Sequence, residues 1–182
     1  MPLSIDEKLL ATLRNYSKVT VPKGTRVFHG SLATGPHIDV PNKRLTGSRK
    51  WVSQDPQYAV DYAYLDDPGD KHAKLLWVCE LKHDLPALAG SQYALSSTVA
   101  WGASFPSRFP NEFADYARLI IPGTGPRALC DHPMPSKPIG APIYREILVS
   151  DPLHALEVVT IIELSGSKDA ARAMASLRYP TI

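Results

Sequence analysis

The spacing of apolar residues changes several times along the chain, and each change marks an element. From Ser4 to Tyr16, the residues Leu9, Leu10, Leu13 and Tyr16 recur at helical intervals, and Ser4 with Glu7 has capping-box spacing, so a first helix is predicted over about residues 4–16. "KVTVPKGTRVFHG" (18–30) is rich in β-branched and aromatic residues but is interrupted by Pro22, Lys23 and Gly24. It reads as two short strands or one broken strand, with His29 at a strand end. "LATGPHIDVPNKRLTGSRK" (32–50), with its prolines, glycines and scattered polar residues, reads as a loop. In the next segment Asp55 is a good N-cap and Pro56 suits the first helical position. The predicted helix carries Tyr58, Tyr62 and Leu65 along one stripe, with Ala59 and Ala63 beside them, and stops at Pro68 and Gly69.

"KLLWVCELKHDLPAL" (74–88) is apolar on both alternations, the pattern of a central strand covered on both faces. "FPNEFADYARLIIPG" (109–123) predicts a short helix capped by Asn111. The 122–142 stretch has six prolines, a composition that excludes helix, disfavours strand and marks a long loop as a candidate for function. Beyond it, Ile147 to Val149 and Leu156 to Ile162 are β-rich runs joined by "SDPLHA", a pair of strands with a short connection. A last helix capped by Ser167 follows.

Composition narrows the class. At 182 residues with 44% hydrophobic residues, the chain is long enough for one domain with a sizeable core, and we expect 1–182 to be that domain, of α+β class. Twenty basic and 18 acidic residues give a formal charge of +2 with no polybasic tract, which argues mildly against nucleic acid and against an anionic membrane surface. No apolar run approaches the roughly 18 residues of a membrane span, and Asp6 and Glu7 stand where a signal peptide carries positive charge. The expectation is a cytoplasmic protein, or one secreted without a cleaved signal. Cys79 and Cys130 are the only cysteines, and Cys79 within an apolar run fits a buried thiol better than a disulfide scaffold. Cys130, Asp131 and His132, with Cys79 and His83, lack the spacings of a common zinc site, so no metal is expected.

Three polar islands sit at element edges: His29, Gly30 and Ser31 in "FHGS"; Ser53 with the tyrosines in "SQDPQYAVDYA"; and Glu146, opening "EILVSDPLHALEVVTII". Each has an ordinary reading on its own: a structural histidine, a helix's core stripe, a solvated strand edge. In this order and setting they resemble the ADP-ribosyltransferase superfamily, His-Tyr-Glu class, which includes diphtheria-like toxins and poly(ADP-ribose) polymerases. The resemblance runs from about Thr25 to Leu164, through three short matched segments.

The resemblance implies a split, mostly antiparallel β core flanked by helices, and an enzyme that cleaves NAD between nicotinamide and ribose. Glu146 is then the carboxylate that stabilises the cation developing on the ribose. Tyr62, with Tyr58 second, would stack on nicotinamide, and Gly30 with Ser53 would take its carboxamide. His29 would hydrogen-bond the adenosine-side ribose and hold NAD folded, while Ser31 and Trp51 border the same site. The family often has an aromatic at the start of the second island, where Trp51 or Val52 stands here. Tyr144, two residues before Glu146, replaces the acidic residue of arginine-modifying relatives, which disfavours arginine as acceptor, and the Ser-Thr-Ser signature of those relatives is absent. The implied function is mono-ADP-ribosyl transfer to a macromolecule, expected to be a protein, by a bacterial toxin or effector whose proline-rich loop chooses the target. The alternatives are a catalytically silent binding module of the same fold, or transfer to nucleic acid or a small molecule.

Overall fold

The computed structural model describes residues 17–65, 67, 71–89, 105–111, 127–134 and 143–180, with positions 7, 10, 11 and 14; for 88, 105, 106 and 127–134 only the backbone is described. Glu7, Leu10, Ala11 and Arg14 are helical, in keeping with the predicted first helix, whose other positions lie outside the described residues. The elements are β1 (Ser17–Val21), β2 (Arg26–Leu32), β3 (Ile38–Asp39), β4 (Arg44–Leu45), β5 (Arg49–Val52), α1 (Pro56–Ala63), β6 (Lys74–Leu81) and β7 (Leu85–Ala89). They continue as α2 (Phe105–Arg108), β8 (Arg127–Met134), β9 (Ile143–Ser150), α3 (Pro152–Ala155), β10 (Leu156–Leu164) and α4 (Lys168–Arg178). The class is α+β, and every strand pair is antiparallel except β7 with β8.

The strands form a five-stranded sheet in the order β1-β7-β8-β9-β5, a three-stranded sheet β10-β6-β2, and the small pair β3-β4. Two chain breaks create the split. β1 pairs with β7 and β2 pairs with β6, so the two pairs are one long antiparallel ribbon bent where both chains are interrupted. Pro22 and Gly24 break one chain; Lys82, His83 and Asp84 break the other. Gly24 adopts φ +78°, Thr25 N donates to the Pro22 carbonyl, and Lys23 N donates across the corner to Asp84 Oδ1 at 2.8 Å. The run 74–88, expected as one strand, is therefore two strands in different sheets.

Between the sheets lies one core, with Val27, Trp77, Cys79, Leu85, Ile147 and Val149 at its centre. A second core covers the other face of the three-stranded sheet, where Phe28, Leu76 and Val78 meet Ala59, Val60 and Ala63 of α1 and Ala171 and Ala175 of α4. β6 is buried along nearly its whole length, as its unbroken apolar sequence requires. Cys79 is free and buried, and burial pushes its thiol up to about 12.

Several expectations are corrected. The 32–50 segment contains the β3-β4 pair and opens β5, with Asp39 accepting from Asn42 in the turn. The proline-rich stretch contains strand β8, which pairs with β9 with Pro133 opposite Tyr144, and whose pairing with β7 among the described residues runs from Ala128 to Cys130. Pro110 and Asn111 are already helical, so Asn111 is not a cap; residues 112–120 lie outside the described residues. β9 and β10 do not pair with each other, because α3 carries the chain from one sheet to the other. α1 buries Ala59, Val60 and Ala63 and leaves Tyr62 42% exposed, so its core stripe is the small residues and not the tyrosines.

Candidate active site

Away from the bent ribbon, the two sheets meet at a bridge where Phe28 N donates to the Ser53 carbonyl and Ser53 N to the Phe28 carbonyl. Beside that bridge the strands part, and a cleft of about 270 Å³ opens between β2, β5, α1 and β9. His29, Gly30, Trp51, Ser53, Tyr58, Tyr62 and Glu146 all line it. Ser31 does not: its Oγ accepts from Trp77 Nε1 at 3.0 Å, which turns it to the buried indole.

His29 lies within β2 and not at its end, since pairing with β6 continues to Leu32. Its Nδ1 is 2.8 Å from the Trp51 carbonyl. A carbonyl only accepts, so Nδ1 carries the proton and Nε2 is left as an acceptor. Burial, then the nearby Lys50 ammonium, lower the imidazole to about 4, against the opposing effect of the Trp51 hydrogen bond. The ring is neutral over the physiological range.

Gly30 has two reasons to be glycine. A Cβ there would stand 1.7 Å from the Ala59 carbonyl oxygen and 2.9 Å from Ala63 N, so no side chain fits between β2 and α1. Its backbone has a second consequence. Leu81 N donates to the Thr25 carbonyl and Ala33 N to the Ala73 carbonyl, so the odd-numbered residues of β2 bond β6 while the even-numbered ones face away. Phe28 spends its outward groups on Ser53, and the Gly30 N–H and C=O point the same way, along the cleft edge.

Glu146 sits inside β9, 4% exposed, rather than ahead of the strand. Tyr58 donates to Glu146 Oε1, and Tyr62 donates to the same oxygen at 3.2 Å. The two tyrosine rings meet edge to face, with centroids 5.3 Å apart. Burial, and next the bond to Glu146, hold the Tyr58 phenol far above its ordinary value, so it remains a donor.

Local sequence builds this trio. Asp55 Oδ1 accepts from Gln57 N, and Pro56 starts α1, which sets the phase that brings Tyr58 and Tyr62 to one side. Ser53, buried, accepts from Asp55 N through Oγ and keeps its hydroxyl proton for a cleft acceptor. Gln54 N donates to the Tyr144 carbonyl and Tyr144 N to Gln54 Oε1, locking the start of α1 to β9 two residues from Glu146.

No protein-family model matches this chain, nor does any curated protein match it in sequence. Among the described residues, no group of three or more His, Cys, Asp or Glu side chains gathers as a metal site requires. The side chains of Cys130, Asp131 and His132 lie outside that description. No helix among the described residues is long and apolar enough to cross a membrane.

Sequence reasoning passed over Arg49 and Lys50, which also line the cleft. One signal was present. Lys50 alternates with Val52 in a strand, so a cation shares the side of an apolar residue.

Proposed function

We propose that the chain is an NAD-dependent mono-ADP-ribosyltransferase, acting on a protein acceptor. The observation that carries this reading is the convergence on one cleft of His29, the Tyr58–Tyr62 pair and Glu146, which come from three distant segments. NAD is the co-substrate whose C1′–N bond to nicotinamide breaks, leaving positive charge on the ribose until the acceptor's nucleophile bonds C1′ and gives up its proton.

The described groups suit that chemistry. Nicotinamide's carboxamide needs one donor and one acceptor, which the outward N–H and C=O of Gly30 supply, with Ser53 as a second donor. The ring would lie on the exposed face of Tyr62. Glu146 would exchange tyrosine donors for a ribose hydroxyl and lower the energy of the adjacent cation, an effect strengthened by its burial. Neutral His29, through Nε2, would accept from a ribose hydroxyl and hold the dinucleotide in place. Tyr144 two residues before Glu146 argues against arginine as acceptor, and the segment around β8 that leads into β9 is the natural place for target choice. A delivered toxin or effector fits this reading.

The Tyr58 hydrogen bond that already occupies Glu146 favours one second reading, a silent module that binds NAD or ADP-ribose. Nicotinamide release from labelled NAD in a cell lysate separates the two. In the enzyme, Glu146→Gln lowers release and protein labelling by about a hundredfold or more while the fold persists. Absence of release by the folded native chain in several lysates refutes the transferase.

A further inference from the structure

The cleft holds two cations to which the reading above gives no task. Lys50 is only 9% exposed, yet its Nζ donates just to the His37 carbonyl, at 3.2 Å, and it pairs with no carboxylate among the described residues. An ammonium has three donors, and burying it without a counter-charge is costly, a cost visible in its lowered pKa. Arg49, half-buried, lines the same cleft and likewise has no carboxylate partner among the described residues. Two neighbouring cations that line one cavity, from opposite faces of β5 and with no carboxylate partner among the described residues, describe a place for an anion.

The register locates that place. Val52 stands opposite Ile147, which puts Ser53 level with Glu146, and Arg49 stands opposite Ser150. Lys50 is three residues back along β5 from Ser53, roughly 10 Å at ~3.3 Å per residue. His29 lies between these levels, bonded to the Trp51 carbonyl. A folded dinucleotide with its two riboses at Glu146 and His29 would therefore bend the diphosphate that joins them outward past the imidazole, toward the cations.

We propose that Lys50 and Arg49 form an anion subsite that takes the diphosphate of NAD, an assignment that rests on the NAD reading of the same cleft. The ammonium supplies a buried point charge, and the guanidinium supplies a planar fork that reaches two phosphate oxygens from the half-exposed side. The interaction sets a preference for phosphate-bearing ligands over nicotinamide or its riboside.

Calorimetric titration with ADP-ribose, inorganic pyrophosphate and nicotinamide tests this on the native chain, Lys50→Met, Lys50→Arg and Arg49→Gln. The expected result is ADP-ribose affinity weakened about tenfold or more in Lys50→Met and severalfold in Arg49→Gln, the size of a lost charge-assisted bond. Nicotinamide affinity stays unchanged, and Lys50→Arg retains most ADP-ribose binding. Unchanged ADP-ribose affinity in Lys50→Met and Arg49→Gln overturns the proposal, as does equal weakening of ADP-ribose and nicotinamide, which marks Lys50 as a prop for the His37 turn. If Lys50→Met does not fold, Arg49→Gln decides, because a half-exposed side chain can be shortened without opening the core. Pyrophosphate binding that is lost in these variants, with nicotinamide never bound, keeps the anion subsite and removes the NAD reading. Normal nicotinamide release together with phosphate binding indifferent to both cations does the reverse.

Discussion

A single histidine carries much of the site's electrostatic character. His29 titrates near 6.5 when unfolded and at about 4 when folded, because the folded ring is buried and faces Lys50. Between those values the unfolded chain binds a proton that the folded chain does not, so stability falls with falling pH in that window. The stability is present in full above about pH 6.5, is lost progressively down to about pH 4, and changes no further below that through this group. Unfolding free energies from urea titrations between pH 7 and 4 should fall more steeply for the native chain than for His29→Gln, by up to about 3 kcal/mol across the window. Parallel curves would show that the ring is not shielded as described. The sequence reading named this residue and most of the others that line the cleft through the order in which they stand, which resembles a known family, since each alone has an ordinary structural reading. It missed Ser31's turn toward Trp77 and the inward Lys50, since a hydroxyl's partner 46 residues away and a cation's burial are set by packing, not by neighbours in sequence.

At the scale of elements, two helix starts were legible, the Asn111 cap and the end of α1 were not, and neither were strand neighbours. Asp55 with Pro56 and Ser167 start their helices through local hydrogen bonds, which need no tertiary information. The same cannot be said of the bent ribbon, where two breaks distant in sequence must face each other, or of β8, which pairs with β9 through its proline. The tyrosine stripe misled for a related reason: small residues of α1 are buried because β2 comes so close that only Gly30 fits beneath. That contact gives a sharp test. In Gly30→Ala the new methyl meets helix backbone rather than a movable side chain, so α1 must shift away from β2. A loss of about 3 kcal/mol or more in unfolding free energy is expected. Because the shift displaces Tyr58 and Tyr62 from Glu146, ligand binding should weaken even at temperatures where the variant remains folded. A loss under about 1 kcal/mol would mean that strand and helix are less tightly apposed than this.

For the whole molecule, the decisive feature is that the sheets join at the Phe28–Ser53 bridge and separate beside it, so that the cleft draws its walls from both. Sequence periodicity reports which face of a strand is buried but not which sheet receives it, and the split arrangement entered the sequence reading through resemblance alone. A ligand spanning the walls binds only when both sheets are folded, and it therefore stabilises them together by mass action. The Glu146→Gln chain is the right material, since it should keep most binding groups while consuming NAD about a hundredfold or more slowly. At NAD about 100-fold above its dissociation constant, the unfolding free energy should rise by about 2.7 kcal/mol, which for a chain of this size moves the melting temperature by roughly 5–10 °C. Nicotinamide alone, reaching only the Tyr62 end of the cleft, should saturate at much higher concentration. No shift at any NAD concentration, in a chain that melts cooperatively, removes NAD from the account. A shift in the variant without nicotinamide release by the native chain would instead identify a binding module, with Tyr58 holding Glu146 out of the chemistry.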